Sequence, residues 1–161
     1  MVSSVELPDI VISIASIQHL DDAVRCWDSL VVDQNIHDSR ISPEALSDSE
    51  KRQFLRSVIL DGRLIMALDS SRLVGIATTA VENNMLDNSQ SVWNISDVCV
   101  DVDYRRRGIG IQLVNECEIQ AKSKGASEIR LQVYSTNQPA SMMYGRLGYR
   151  SISRMMSKKL D

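Results

Sequence analysis

Arg105-Arg106-Arg107-Gly108-Ile109-Gly110 constrains this chain more than any other stretch. It follows the apolar run Val92 to Val102 and opens the amphipathic run Ile109 to Lys124, which predicts a strand-to-helix junction. The first backbone N–H groups of a helix have no partner inside it and lie at the positive end of its dipole. Glycine lets that backbone approach an anion closely, and arginine adds charge. The junction therefore reads as a cradle for a phosphorylated cofactor. A P-loop needs Gly-x-x-x-x-Gly-Lys-Ser/Thr, and the chain has no such string. The dinucleotide fingerprint needs a third glycine where Leu113 stands. What remains is Arg105-x-x-Gly108-x-Gly110.

The residues that follow narrow this further. Gly125 suits a helix C′ position, and Ile129 to Tyr134 reads as a strand. Asn137-Gln138-Pro139-Ala140 opens a helix that ends near Gly148 and contains Met143-Tyr144-Gly145-Arg146-Leu147. Met156-Ser157-Lys158-Lys159-Leu160 ends a last strand. Together these resemble the GNAT superfamily, the acetyl-CoA-dependent N-acetyltransferases. Arg105-x-x-Gly108-x-Gly110 is similar to that family's pyrophosphate-binding loop. Asn137 to Tyr149 is similar to its Asn-x-x-Ala-x-x-Phe-Tyr-x-x-x-Gly-Phe pattern. Met143 departs from the usual aromatic there, and Tyr149 replaces the phenylalanine. The close resemblance covers about Ile95 to Leu160; the first ninety residues match only in the order of elements.

That order is β-α-α-β-β-β-α-β-α-β. Ile10 to Ile14 is the first strand, and Leu20, Val24, Trp27 and Leu30/Val31 share one face of the first helix. Val32 to Ser42 is polar and reads as a loop. Ser47 and Glu50 fit a capping box for a second helix, which Asp61-Gly62 ends. Leu64 to Leu68 and Leu73 to Val81 are two strands joined at Ser70-Ser71. Glu82 to Gln90 is a polar turn before the strand Ser91 to Val102. Helices between the later strands favour an α/β (α+β) mixed sheet with helices on its faces. The resemblance implies the GNAT-like acyl-CoA N-acyltransferase fold. In it the strand before the loop and the strand after the next helix splay apart, and the cofactor's pantetheine arm enters the gap.

At 161 residues the chain reads as one domain, 1–161, with an ordinary 43% hydrophobic content. Cys26, Cys99 and Cys117 are an odd number without metal-ligand spacing, and the only histidines are His19 and His37. A reduced, cytoplasmic compartment and no metal site are the expectation. No apolar run reaches membrane-spanning length and no signal peptide opens the chain, so no membrane partner is expected. The net charge of −3 argues against nucleic acid as a partner, and few aromatics flank the arginines for base stacking. Residues 1–100 carry a net of −8 and residues 101–161 a net of +5. The basic half suits an anionic cofactor, and the acidic half suits a cationic amine or is simply a solvated face.

The resemblance implies acetyl transfer from acetyl-CoA, as co-substrate, to a primary amine by direct attack within a ternary complex. The acceptor is an amine-bearing small molecule or protein, and a homodimer is common for such folds. The alternative is the same fold retaining acyl-CoA as a sensed ligand without turnover. Tyr144 matches the family's general acid, and a phenol is protonated at neutral pH; from spacing alone it would be a packing tyrosine. Asp97 aligns with an acidic position and is the first candidate for general base, with Glu82 second and His37 in the polar loop third. A cap- or loop-bonding carboxylate is the competing role for Asp97. Val98, Cys99 and Val100 match the cofactor-pairing strand, with an N–H near Val100 as oxyanion donor. Cys99 is not expected as a nucleophile, since an apolar strand does not favour thiolate. Arg105, Arg106, Arg107, Gly108, Ile109 and Gly110 form the pyrophosphate loop, and Asn137 contacts the cofactor arm while capping its helix. In the family, acceptor pockets come from the segments that correspond here to Val32–Ser42 and Glu82–Gln90. Asp33, Asp38, Glu82 and Asp87 make these acidic.

Overall fold

Strands β2 (Leu64–Asp69) and β3 (Arg72–Glu82) read as near-continuous apolar runs, and residues 64–67 and 73–79 are buried without alternation. That is the pattern of strands covered on both faces. The computed structural model describes residues 9–82, 91–158 and 160. In it β1 (Ile10–Ile14), β2, β3, β4 (Val92–Val100) and β5 (Glu128–Leu131) form one sheet in chain order. Strands β1 to β4 are antiparallel neighbours, whereas β5 runs parallel to β4. A parallel neighbour requires a crossover, here helix α3 (Ile109–Ser123).

Helices α1 (Leu20–His37) and α2 (Asp48–Leu60) cover one face of the sheet. Their Ala23, Val24, Leu55, Val58 and Ile59 pack with Met66, Ile76 and Cys99. The other face packs Ile65, Ala67, Val74 and Ala77 against Ile109, Leu113, Val114 and Cys117 of α3. Met143, Tyr144 and Leu147 of α4 (Gln138–Arg146) lie against this second cluster. Gly75 permits close approach behind the loop: a Cβ there would sit 2.9 Å from the Cys99 carbonyl oxygen and 3.2 Å from Leu113 Cδ1.

Local signals hold at the caps. Ser47 and Glu50 form the reciprocal box, with Ser47 N donating to Glu50 Oε2 at 2.8 Å and Glu50 N to Ser47 Oγ at 3.3 Å. Asn137 caps α4, its Oδ1 accepting from Ala140 N at 3.2 Å. Gly125, with φ of 83°, follows the end of α3.

Four elements differ from the sequence reading. The stretch Val32 to His37 is the last turn and a half of α1, and the loop begins only at Asp38. Long-range bonds hold that polar turn helical, from Asp33 to Arg105 and from His37 to Thr136. Strand β4 ends at Val100 instead of Val102, where a 3₁₀ turn, Val102–Tyr104, begins. Strand β5 covers Glu128 to Leu131 and stops short of Tyr134. Residues 150–158 form no strand: Ile152, Met155 and Met156 are exposed and alternate poorly with their polar neighbours, so no edge is offered to β5. Lys159 and the turn residues 83–90, Asp87 among them, lie outside the described residues.

Candidate active site

The Arg105–Gly110 loop leaves the end of β4 and starts α3. Arg106 and Gly108 both adopt positive φ, 64° and 81°. Glycine takes this conformation freely, while for Arg106 it is a local strain of the kind found at ligand-holding loops. Left-handed residues of this kind recur in the backbone concavities that bind anions. Gly108 is the N-cap of α3 and offers no side-chain cap, and the first intrahelical bond runs from Gln112 N to Gly108 O at 3.1 Å. The N–H groups of Ile109, Gly110 and Ile111 therefore have no partner within the helix. Gly110 also lets α4 come close, since a Cβ there would be 3.4 Å from Met143 Sδ and 3.9 Å from Val100 Cγ2.

The three arginines divide their tasks. Arg105 Nε donates to the Val100 carbonyl at 2.9 Å, and its terminal nitrogen pairs with Asp33 at 2.5 Å. Both partners are about 40% exposed, at 41% and 42%, so the pair adds under about 1 kcal/mol of stability and serves to brace the loop against α1. Arg107 lies over the Tyr104 ring at 5.2 Å and donates to the Asp103 carbonyl at 2.8 Å. Arg106 is exposed and carries no ion pair with another described residue.

Beside the loop the sheet opens. Strands β4 and β5 pair only from Val92↔Glu128 to Ile95↔Leu131, so β4 from Ser96 to Val100 has β3 on one side and an open edge on the other. A bulge at this level lets the register jump from Thr79↔Ile95 to Thr78↔Asp97. Backbone direction alternates along a strand. Asp101 N donates to Val74 O of β3, so Cys99 and Asp97 also turn their backbone toward β3, and Val98 and Val100 turn theirs to the open edge. Cys99 contributes its side chain to the core, its thiol donating to the Cys26 carbonyl at 3.1 Å.

The last turn of α1 spans the mouth of this slot. Asp33 reaches the loop after β4, while His37 Nδ1 is 2.8 Å from Thr136 Oγ1 and its ring stacks on Tyr134 at 5.7 Å, in the loop after β5.

Tyr144 and Asp97 flank the slot from opposite faces. Tyr144 lies with the α3 cluster, edge-on to Tyr149 at 5.7 Å, and its hydroxyl makes no hydrogen bond to another described residue. Burial, with Cys117 nearby, pushes its pKa up to about 12. Asp97 shares the α1 face with Cys99 and accepts from Thr78 Oγ1 at 2.5 Å. Burial pushes its carboxyl above the ordinary range; Thr78 and, to a smaller degree, the Trp27 indole pull it back down. Of the two candidates that compete with Asp97, Glu82 lies toward the far end of the sheet and His37 at the mouth of the slot. Glu82 pairs with Val92 at the start of β4, eight residues and roughly 26 Å from the Val100 end, and contacts Asn94 and Arg130. His37 is a helical residue tied to Thr136, with Tyr134 against its ring.

The acidity expected around the acceptor segments is largely cancelled. Asp33 pairs with Arg105, Glu82 with Arg130, and Asp38 with Arg40 through two side-chain bonds that hold the Asp38 carboxyl near a pKa of about 2. A groove of about 600 Å³ between α1 and α2 contains none of the loop or slot residues, and its Lys51 and Asp28 are paired at 2.8 Å. Two neighbours of Asp97 were beyond sequence reading: Thr78 lies 19 positions away and Trp27 on a different element, so only the β3–β4 register and the docking of α1 bring them together.

Comparison with known proteins agrees with this fold. Over 88 residues, 54% of the chain, it is 33% identical to glucosamine 6-phosphate N-acetyltransferase of Trypanosoma brucei brucei, a match spanning 57% of that protein. A mutant of the BH1408 protein from Bacillus halodurans superposes with a TM-score of 0.80 at 19% identity, covering 93% of this chain and 99% of that one. Aminoglycoside N-acetyltransferase AAC(6')-Iy, solved in complex with CoA, superposes with a TM-score of 0.76 at 15% identity, covering 94% of each chain. At such identities the structures speak for the fold. The acetyltransferase (GNAT) family matches residues 17–149. The chain belongs to the acetyltransferase (GNAT) family, a family of acyltransferase enzymes.

Proposed function

We propose that this protein moves an acetyl group from acetyl-CoA to a primary amine by direct attack, with both substrates bound in the slot between β4 and β5. The observation that carries this reading is the open β4 edge with a phenol on one face and a carboxylate on the other. Unpaired N–H groups from Arg106 to Gly110 suit the pyrophosphate, and Arg106 is free to meet a further phosphate. The outward backbone groups of Val98 suit the amides of the pantetheine arm, while the Val100 carbonyl is held by Arg105 and its N–H is left for the thioester oxygen. Asn137 stands at the start of α4 and contacts that arm. The CoA complex of a structural neighbour supports the donor, and the amino-sugar names of relatives support an amine acceptor.

In this reading Asp97 takes a proton from the acceptor ammonium. The amine nitrogen attacks the thioester carbonyl carbon, a C–N bond forms, and the Val100 N–H supports the oxyanion. The attacking nitrogen gives up its second proton to solvent, the C–S bond breaks, and the Tyr144 hydroxyl donates to the leaving thiolate. Burial raises the phenol to about 12, so it stays protonated through the reaction. Tyr144 therefore acts as a hydrogen-bond donor to the developing thiolate, and solvent supplies the final proton.

Direct attack requires no acetyl-enzyme, and all three cysteines are buried. Incubation with acetyl-CoA alone is expected to leave the protein mass unchanged, and initial rates against both substrates to give intersecting double-reciprocal lines. Parallel lines together with an acetylated protein would rule out the ternary complex.

A further inference from the structure

We propose that Trp27 is a positioning residue for Asp97. Its indole N–H and the Thr78 hydroxyl together keep that half-buried carboxylate charged on the α1 face of the slot. The role in catalysis rests on the assignment of Asp97 as base; the contact itself does not.

Helix α1 docks on β4 through its buried face. The Cys99 thiol donates to the Cys26 carbonyl at 3.1 Å, which fixes α1 against the strand one residue before Trp27. Asp97 lies two positions before Cys99 and so presents its side chain to the same face. Trp27 packs against the cluster there, and its ring is steadied by Phe54 at 6.0 Å. Its Nε1 is buried and has no partner of full hydrogen-bond geometry among the described residues. Buried donors are normally paired, and an unpaired one kept inside a core calls for a reason. Asp97 has the complementary shortage: four lone-pair sites and, among the described residues, one bond, from Thr78 Oγ1.

The Trp27 indole lies near enough to Asp97 to favour its charged form, against the burial that alone would drive the carboxyl toward its neutral, proton-holding form. A base must be charged to accept a proton. Thr78 from β3 and Trp27 from α1 supply the opposing field. The other titratable neighbours on this face are the thiols of Cys26 and Cys99. Arg130 of β5 is engaged by Glu128 and Glu82. Among the described residues no ion pair involves Asp97.

The test is the titration of Asp97 by carbon-13 NMR on protein labelled at the aspartate carboxyls, with its signal identified by its loss in Asp97→Asn. Removing a donor to the charged form raises the carboxyl pKa. In Trp27→Phe, which keeps a ring but lacks the N–H, the charged-to-neutral ratio at fixed pH should fall by roughly threefold or more. In the native protein the Trp27 indole nitrogen resonance should titrate with the same midpoint and lose that titration in Asp97→Asn, a readout that needs no change at Trp27. An unmoved Asp97 midpoint in folded Trp27→Phe, or an indole resonance blind to Asp97, overturns the proposal. Undiminished turnover in Asp97→Asn would instead remove Asp97 as base and leave the Trp27 contact standing.

Discussion

Tyr144→Phe is expected to lower kcat by about a hundredfold to a thousandfold, with acetyl-CoA bound as tightly as by the native protein. The substitution removes one oxygen and leaves the ring where it packs, against the α3 cluster and edge-on to Tyr149. No donor or acceptor among the described residues loses a partner, because the hydroxyl has none there. The usual cost of an orphaned polar group is therefore absent, and stability should change by less than about 1 kcal/mol. The loss belongs to the step in which the thiolate develops. Steady-state rates at saturating acetyl-CoA, with a calorimetric Kd alongside, separate the two quantities. A variant with native kcat would remove Tyr144 from the chemistry and leave it as packing.

Gly110→Glu should weaken acetyl-CoA binding by roughly a hundredfold, equivalent to about 2.7 kcal/mol, or one to two charge-assisted hydrogen bonds. The first atom of the new side chain fits, at 3.4 Å from Met143 Sδ, so Gly110→Ala should bind the cofactor nearly as the native protein does. The carboxylate is what blocks. It would stand in the first turn of α3, where the exposed N–H groups and the helix dipole favour an anion. That placement stabilises the helix while it occupies the phosphate cradle, so thermal stability and cofactor affinity should move in opposite directions. A calorimetric Kd equal to the native value in a folded Gly110→Glu protein would break the assignment of the loop.

The parts legible in the sequence share one property: their causes are local. The Ser47–Glu50 box, the Asn137 cap and the glycine at Gly108 each follow from backbone groups within four residues. The order of elements through α4 follows from period and punctuation. The last turn of α1 was not legible, because its polar residues are kept helical by partners about 70 and 99 positions away, Arg105 and Thr136. The closing strand failed for a related reason. Met155 and Met156 have strand-like composition, but a strand exists only when an edge pairs with it, and residues 150–158 pair with none. Within the candidate site the sequence named Tyr144 and Asp97 but not their arrangement. Their placement on opposite faces depends on which cluster each joins, and the slot on β5 ending at Leu131. The antiparallel register also displaced Glu82 to the far end of the sheet, which sequence distance from Asp97 does not reveal.

The most direct test of acetyl transfer is release of free CoA thiol from acetyl-CoA across a panel of primary amines, covering amino sugars, polyamines, aminoglycosides and peptides. Release is expected to depend on one amine class, with one acetylated amine formed for each CoA. Tight acetyl-CoA binding with no amine raising thiol release above buffer would contradict it, and would mark the protein as a binding module that keeps the fold without the turnover.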